Sequence, residues 1–278
     1  MKRLASLLGL FGIDLVKGAR SVRGLRPYLR NRRALRRQAS GRSEFPLGKA
    51  YPCLADRYEE SGVARGDYFH QDLYVAQLIL RNHPRRHVDV GSRVDGFVAH
   101  VATFRPIEVF DIRELRTSAS NIAFRQRDLM QERPDLDACT DSLSCLHTLE
   151  HFGLGRYGDP IDYDGYRKGW ENLWRMVEPG GRFYFSTPIG AQRIEFDAHR
   201  VFSVPFLMGM IRPRYRVVSF AYVNDAGDLV RDADPEGPGA ADSFGCRYGC
   251  GIFELVKTGG GYDAPHPANR RSPLGPSE

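Results

Sequence analysis

From His87 onward, short apolar runs of strand length alternate with longer stretches of helical periodicity, and no other feature narrows the fold so far. Strands are expected at 87–91, 107–111, 123–127, 141–146, 182–187, 215–223 and 250–256. Helices fit at 68–81, about 95–104, 114–121, 146–152 and 165–177. The first presents Phe69, Leu73, Ala76 and Leu80 on one face, and the last presents Tyr166, Trp170, Leu173, Trp174 and Val177. Such an alternation specifies a doubly wound α/β domain with a mostly parallel, seven-stranded sheet. The last two strands are joined by a Gly/Asp/Pro-rich loop over 224–247 with no helical pattern, which suits an antiparallel pair.

The net charge of +6 conceals a division of the chain. Residues 1–43 hold twelve Lys or Arg against one acid, Asp14, a net +11 that leaves −5 for the remainder. Leu4, Leu7, Leu8, Phe11, Leu15 and Val16 recur near helical spacing, so this arm reads either as an amphipathic segment for an anionic membrane surface or acidic partner, or as a solvated, disordered extension. Asp14 and Lys17 interrupt the apolar run short of the roughly 20 residues of a membrane span. No small-residue cleavage pattern precedes the arginines, so a cytoplasmic protein, at most peripheral at a membrane, is expected. A nucleic-acid role is disfavoured, because only Tyr28 interleaves the basic residues. The divisions expected are a 1–43 arm, a 44–67 wrapping segment, the domain proper at 68–257 and a disordered Gly/Pro-rich tail at 258–278. The five cysteines form no C-x-x-C pair, which fits a reducing compartment.

His87-Val-Asp-Val-Gly-Ser-Arg-Val-Asp-Gly reads as a strand that ends in a glycine turn and opens a helix. Gly91 allows the tight turn and Gly96 a close helix–strand approach. Asp111 ends the next strand, 22 residues after Asp89, where a ribose diol is bound in nucleotide sites, and Asp128 follows the third strand. Asp89, Gly91, Ser92, Arg93, Gly96, Asp111, Asp128 and Ser144 are therefore the candidate cofactor residues. Each has a plainer role available as a turn or cap, and only their placement at successive strand tips singles them out.

The fourth strand runs into His147-Thr-Leu-Glu-His-Phe-Gly-Leu-Gly-Arg-Tyr-Gly-Asp159, polar residues that packing does not explain. His147, Glu150 and Asp159 are the candidate catalytic groups, with His147 first as a base. Arg156, Tyr157, Arg193, His199 and Arg200 are candidates for substrate recognition, with an Arg156–Asp159 pair across the glycine loop as the structural alternative. His147-x-x-Glu150-His151 also matches a zinc-binding spacing, but it begins directly after a strand and meets Gly153 within a turn, so no metal is expected.

Over about residues 68–256 the chain resembles the class I S-adenosylmethionine-dependent methyltransferases. Asp89-Val-Gly91 stands where their first motif lies, Asp111 at their ribose acid, Asp128 at their adenine contact, and Val177-Glu-Pro-Gly-Gly-Arg-Phe at the turn before their fifth strand. More narrowly, His147 to Pro160, the Tyr68-Phe-His-Gln-Asp-Leu helix and the 188–203 segment resemble domain of unknown function 268. The resemblance implies S-adenosylmethionine as cofactor and methyl transfer to a small-molecule or glycan-type acceptor. It departs from the methyltransferase pattern where Ser92, Arg93 and Val94 replace glycine-rich sequence after Gly91. That departure keeps open a non-catalytic member that binds a nucleotide or partner. An NAD-dependent oxidoreductase is the other alternative, and its sheet would be all parallel.

Overall fold

The structure is a computed structural model that describes residues 12, 14–42 and 44–259. Residues 1–11 and 260–278, with Leu4, Leu7, Leu8 and Phe11 of the arm and nearly all of the tail, lie outside the described residues. The chain forms two compact units, 1–63 and 64–278.

In the first unit, helix α1 spans Leu15–Gln38, with Asp14 as its cap accepting from the Lys17 N–H. Pro27 lies inside this helix and cannot donate to the Arg23 carbonyl, and the Tyr58 hydroxyl donates to that oxygen instead. Gly24 lies against the Leu54 carbonyl, where a Cβ would sit 1.9 Å from the oxygen. The 47–58 segment therefore packs on the Gly24 face, while Leu15, Val22, Leu25 and Leu29 are exposed. Among the described residues, no helix is long and apolar enough to cross a membrane.

In the second unit, α2 spans Asp67–Asn82, β1 His87–Val90, α3 Ala99–Ala102, β2 Ile107–Asp111, β3 Ile122–Gln126 and β4 Thr140–Leu146. These are followed by α4 at Gly165–Met176, β5 at Val177–Ile189, β6 at Arg193–Glu195, β7 at His199–Val201 and α5 at Val204–Ile211. The chain continues through β8 at Tyr215–Val223 and β9 at Leu229–Val230 to β10 at Gly249–Lys257. The main sheet has the order β3-β2-β1-β4-β5-β10-β8-β9. Strands β1 to β5 pair in parallel, and β10 is inserted antiparallel between β5 and β8. This is the methyltransferase arrangement, with eight strands where seven were expected, because the 224–247 loop contributes the short β9 at the edge. It is not the all-parallel sheet of the dinucleotide alternative.

Two apolar layers cover the sheet. Tyr74, Val75, Leu78 and Ile79 of α2 pack with Phe97, Val98 and Val101 on one face. Tyr166, Trp170 and Leu173 of α4 pack with Phe183, Phe185, Phe220 and Phe253 on the other. Helix α2 is apolar around most of its circumference, and the sheet takes a different stripe from the expected one. Phe69, Leu73 and Leu80 are exposed, and the polar Gln71 and Asp72 are turned inward.

Two expected helices do not form. Glu114 to Asn121 is irregular, because Leu115 and Ala119 offer too little apolar surface to hold a helix against the sheet. Residues 146–152 yield only a 3-10 turn at Leu149–His151, since His147 adopts a left-handed φ of 48° that breaks any helix out of β4.

Candidate active site

The strand order reverses between β1 and β4, and a cavity of about 540 Å³ opens there, at the carboxyl ends of the strands. Its wall takes Gly91, Ser92, Arg93 and Gly96 from the turn after β1, Asp111 and Arg113 after β2, and Asp128 after β3. His147, Thr148, His151, Arg156, Tyr157 and Asp159 come from the loop after β4. Helix α2 contributes Tyr68, Gln71 and Asp72. The volume suits a nucleoside-sized ligand.

Asp89 and Ser144 lie beneath the cavity, fully buried. Asp89 accepts from the Ser92 N–H at 3.0 Å, the Ser92 hydroxyl at 2.9 Å and the Ser144 hydroxyl at 2.5 Å. Because Ser144 donates to Asp89, it accepts from Nε2 of His87 at 3.1 Å, which leaves Nδ1 of His87 to accept from Ser142 at 2.7 Å. Burial pushes Asp89 up to about 7 against these donors and His87 down to about 3. The chain Ser142–His87–Ser144–Asp89–Ser92 thus fixes the glycine turn, and these two expected cofactor residues act from below it.

Gly91, at φ 79°, lies under Thr148, and Gly96 admits the Asp72 carboxylate, whose Oδ2 would be 2.9 Å from a Cβ. Burial raises Asp72 above the usual carboxylate range. Arg93 is exposed and pairs with Asp95 at 2.7 Å. Asp111 accepts from the backbone N–H, Nε and an Nη of Arg113 at 2.8, 3.0 and 2.6 Å. The same guanidinium lies 4.4 Å over the Tyr157 ring. Asp128 accepts from the Met130 N–H at 2.8 Å.

Glu150 is fully buried, with Oε1 3.4 Å from Nδ1 of His147 and 3.8 Å from Nε2 of His151. The two imidazoles flank the carboxylate, and among the described residues no group of three His, Cys, Asp or Glu is arranged to hold a metal. Oε1 of Glu150 and Nε2 of His147 are buried without hydrogen-bond partners. Burial pushes Glu150 up to about 8 and His147 down to about 3. His151 is pushed down to about 4, mainly by burial, and its Nδ1 lies 2.6 Å from the Ala198 carbonyl.

The remaining candidates divide. The alternative pair of Arg156 with Asp159 does not form. Asp159 accepts from the N–H groups of Gly153, Gly155 and Tyr157, and Arg156 donates to the Ala198 carbonyl. Asp159 therefore organises the glycine loop from within. Arg200 is a correction: only 4% exposed, it donates to the carbonyls of Glu150, Phe152, Asp162 and Tyr163 and so clamps the loop instead of meeting a substrate. Arg193 pairs with Glu195 and lies off the cavity, and His199 contacts Glu195 and Tyr248 behind His151. Tyr68, Gln71, Asp72, Arg113 and Thr148 were missed. The signal for Gln71 and Asp72 was a polar pair between the apolar residues Phe69 and Leu73 of the helix.

A family model described as "Caenorhabditis protein of unknown function, DUF268" matches residues 98–225. No curated protein matches the chain. Among solved structures, the N-methyltransferase NodS from Bradyrhizobium japonicum WM9, in complex with S-adenosyl-L-homocysteine, is 12% identical. That match covers 69% of this chain and 88% of that one at a TM-score of 0.45. The [4+2]-cyclase SpnF is 12% identical over 72% of this chain and 86% of its own, at 0.49. A 1,6-didemethyltoxoflavin-N1-methyltransferase from Burkholderia thailandensis is 17% identical over 67% and 78%, at 0.46. The family match takes in Asp111, Asp128 and the whole His147–Asp159 loop but not the β1 turn. Residues 98–225 of this chain thus match the domain of unknown function 268 family, set within a sheet of class I methyltransferase order.

Proposed function

We propose that the protein is an S-adenosylmethionine-dependent methyltransferase acting on a small or glycan-linked acceptor. The observation that carries this is the position of the 540 Å³ cavity, at the reversal of strand order, with a glycine turn and the acids Asp111 and Asp128 on successive strand tips. The donor set fits the cofactor. Asp111 would take the ribose hydroxyls in exchange for Arg113, whose side chain is nearly half exposed and free to move aside. Asp128 would face the adenine amino group and Arg93 the carboxylate. When bound, the cofactor supplies an electrophilic methyl group. The chain's own residues then align the acceptor and exclude water: Phe110, Leu129 and Leu146 form the dry wall, and Tyr157 with Arg113 and Arg156 forms a polar, cationic mouth suited to a sugar or acidic acceptor. His147 is the proposed base, and Glu150 stands behind it.

Titration calorimetry of the full chain with S-adenosylmethionine tests this. Micromolar binding that Asp111→Ala weakens by about tenfold or more is the expected result, and no binding to the folded protein would reject it. A second reading, a non-catalytic member that binds a nucleotide or partner, draws on Thr148 filling the space over Gly91 and on Arg113 occupying Asp111. For residues 15–38 we propose contact with an anionic surface, from nine cations and no acid on one helix.

A further inference from the structure

We infer that Glu150 is a positioning residue that decides which nitrogen of His147 carries a proton, and that Nε2 of His147 thereby becomes the proton acceptor for a hydroxyl-bearing acceptor in the cavity. This deepens the methyl-transfer reading and rests on it.

In this dry site the positions of the hydrogens follow from the partners of each ring nitrogen. A carbonyl oxygen only accepts, so Nδ1 of His151, 2.6 Å from the Ala198 carbonyl, carries hydrogen. Burial keeps that ring neutral, which leaves a lone pair on its Nε2, and this lone pair faces Oε1 of Glu150 at 3.8 Å. Oε1 of an ionised Glu150 has no other partner and can be approached by a hydrogen only from the other side, from Nδ1–H of His147, whose nitrogen lies 3.4 Å away. With Nδ1 so occupied, Nε2 of neutral His147 bears the lone pair. A protonated Glu150 reverses this, since its hydroxyl hydrogen meets Nδ1 of His147 at 3.4 Å, a nearer acceptor than Nε2 of His151 at 3.8 Å, and the ring proton then sits on Nε2. In that state His147 is a donor and no base.

The surroundings hold the pair in reach of this exchange. The His147 side chain is 4% exposed and that of Glu150 1%, and Nε2 of His147 has no protein partner although the residue lines the cavity. The His147 backbone sits at φ 48°, a strained conformation kept by its N–H bond to Ser186. The Tyr68 ring lies 5.4 Å from the imidazole. The groups facing Glu150 are His147, His151 and the Thr187 hydroxyl at 3.5 Å, with Cys145 on β4, Arg156 on the glycine loop, Tyr68 on α2, Tyr248 just before β10 and Cys250 within it. The Thr187 hydroxyl and Arg156 favour the ionised form, and burial outweighs them, placing the carboxyl near pH 8.

An ionised Glu150 beside Nδ1–H also strengthens Nε2 as a base, as a carboxylate does for any imidazole it orients. In the transfer step, the hydroxyl proton passes to Nε2 while the hydroxyl oxygen bonds to the methyl carbon of the sulfonium donor. The electron pair of the breaking sulfur–carbon bond stays on sulfur, and the imidazolium is held by Glu150. A thiolate acceptor would need no such buried base, which is why a hydroxyl is assigned.

The test is nitrogen NMR of full-length protein labelled in histidine, with His147 assigned by its loss in His147→Asn, between pH 6 and 10. Nε2 of His147 should change from protonated to unprotonated around pH 8 in the wild type and should not change in Glu150→Gln. A His147 tautomer that stays constant in the wild type, or a transition that persists in Glu150→Gln, overturns the proposal. Should Glu150→Gln fail to fold, the wild-type titration decides alone. Calorimetry with S-adenosylmethionine on the same sample separates the two claims, since absent binding rejects methyl transfer and leaves the tautomer result standing.

Discussion

Thr148 is locked over Gly91: a Cβ at residue 91 would lie 2.2 Å from Cγ2 of Thr148. The turn after β1 and the loop after β4 are therefore one interdependent unit. Gly91→Ala should cost about 2 kcal/mol or more, from the clash and from φ 79° combined. Adding Thr148→Gly should restore part of the loss and leave about 1 kcal/mol for the backbone alone. Urea unfolding of the two single variants and the double closes that cycle, and simple additivity would refute the interlock.

Arg113 and Asp111 make opposite predictions for one ligand. Arg113→Ala frees the Asp111 carboxylate and should tighten S-adenosylmethionine binding severalfold, whereas Asp111→Ala should weaken it by about tenfold or more. Calorimetry on both variants checks this. Weaker binding in Arg113→Ala would instead make Arg113 a ligand contact.

Much of this was legible in the sequence because strand signals are local. The β-branched and aromatic residues of β1, β5 and β10 and the small and apolar run of β4 are buried whichever neighbours they meet, and the glycine-turn and Pro-Gly-Gly segments punctuate them. What failed depended on partners. The face that α2 buries was set by the sheet, and the 114–121 segment had too few apolar residues to be held against it as a helix. The roles of Asp89, Ser144 and Arg200 turned on burial, which spacing does not reveal, so three polar residues at the right positions proved to be braces. His147 and Glu150 were singled out by a spacing that suggested a helix, whereas the backbone breaks at His147.

Arg200→Ala should destabilise the domain by about 3 kcal/mol or more, because four carbonyls of the 150–163 loop lose their donor in a buried place. Arg200→Lys should recover little, since a single ammonium cannot span both carbonyl pairs. Thermal unfolding measures both, and unchanged stability in Arg200→Ala would return this residue to the substrate candidates.

Helix α1 carries nine Lys or Arg and no acid, and its exposed Leu15, Val22, Leu25 and Leu29 lie away from the face packed on residues 47–58. Vesicles containing phosphatidylserine should therefore sediment the protein at low salt, and neutral phosphatidylcholine vesicles should not. Replacing Arg26, Arg30, Arg33 and Arg37 with Glu should abolish binding. Equal binding to both vesicle types would remove the electrostatic basis, and preference for a nucleic acid of equal charge would assign the helix to that partner.

Stability should be highest between about pH 4.5 and 6.5, where Asp67, raised by burial to about 6, joins Glu150 and Asp89, and should fall on either side for opposite reasons. His87, His147 and His151 are held neutral, so the unfolded chain binds more protons than the native one as pH drops below about 6.5, and stability is lost towards pH 4 and below. Glu150 and Asp89 work the other way, since the native chain keeps their protons up to about pH 8 and 7 while the unfolded chain releases them near pH 4. Between pH 4.5 and 6.5 the two sets oppose each other, and above 6.5 only the acids remain. Raising the pH from 6.5 to 8 should then cost the wild type on the order of 2 kcal/mol more than Glu150→Gln, at about 1.4 kcal/mol per proton per pH unit. Urea titrations of both proteins at the two pH values test this, and parallel losses would show that Glu150 is ionised throughout the range.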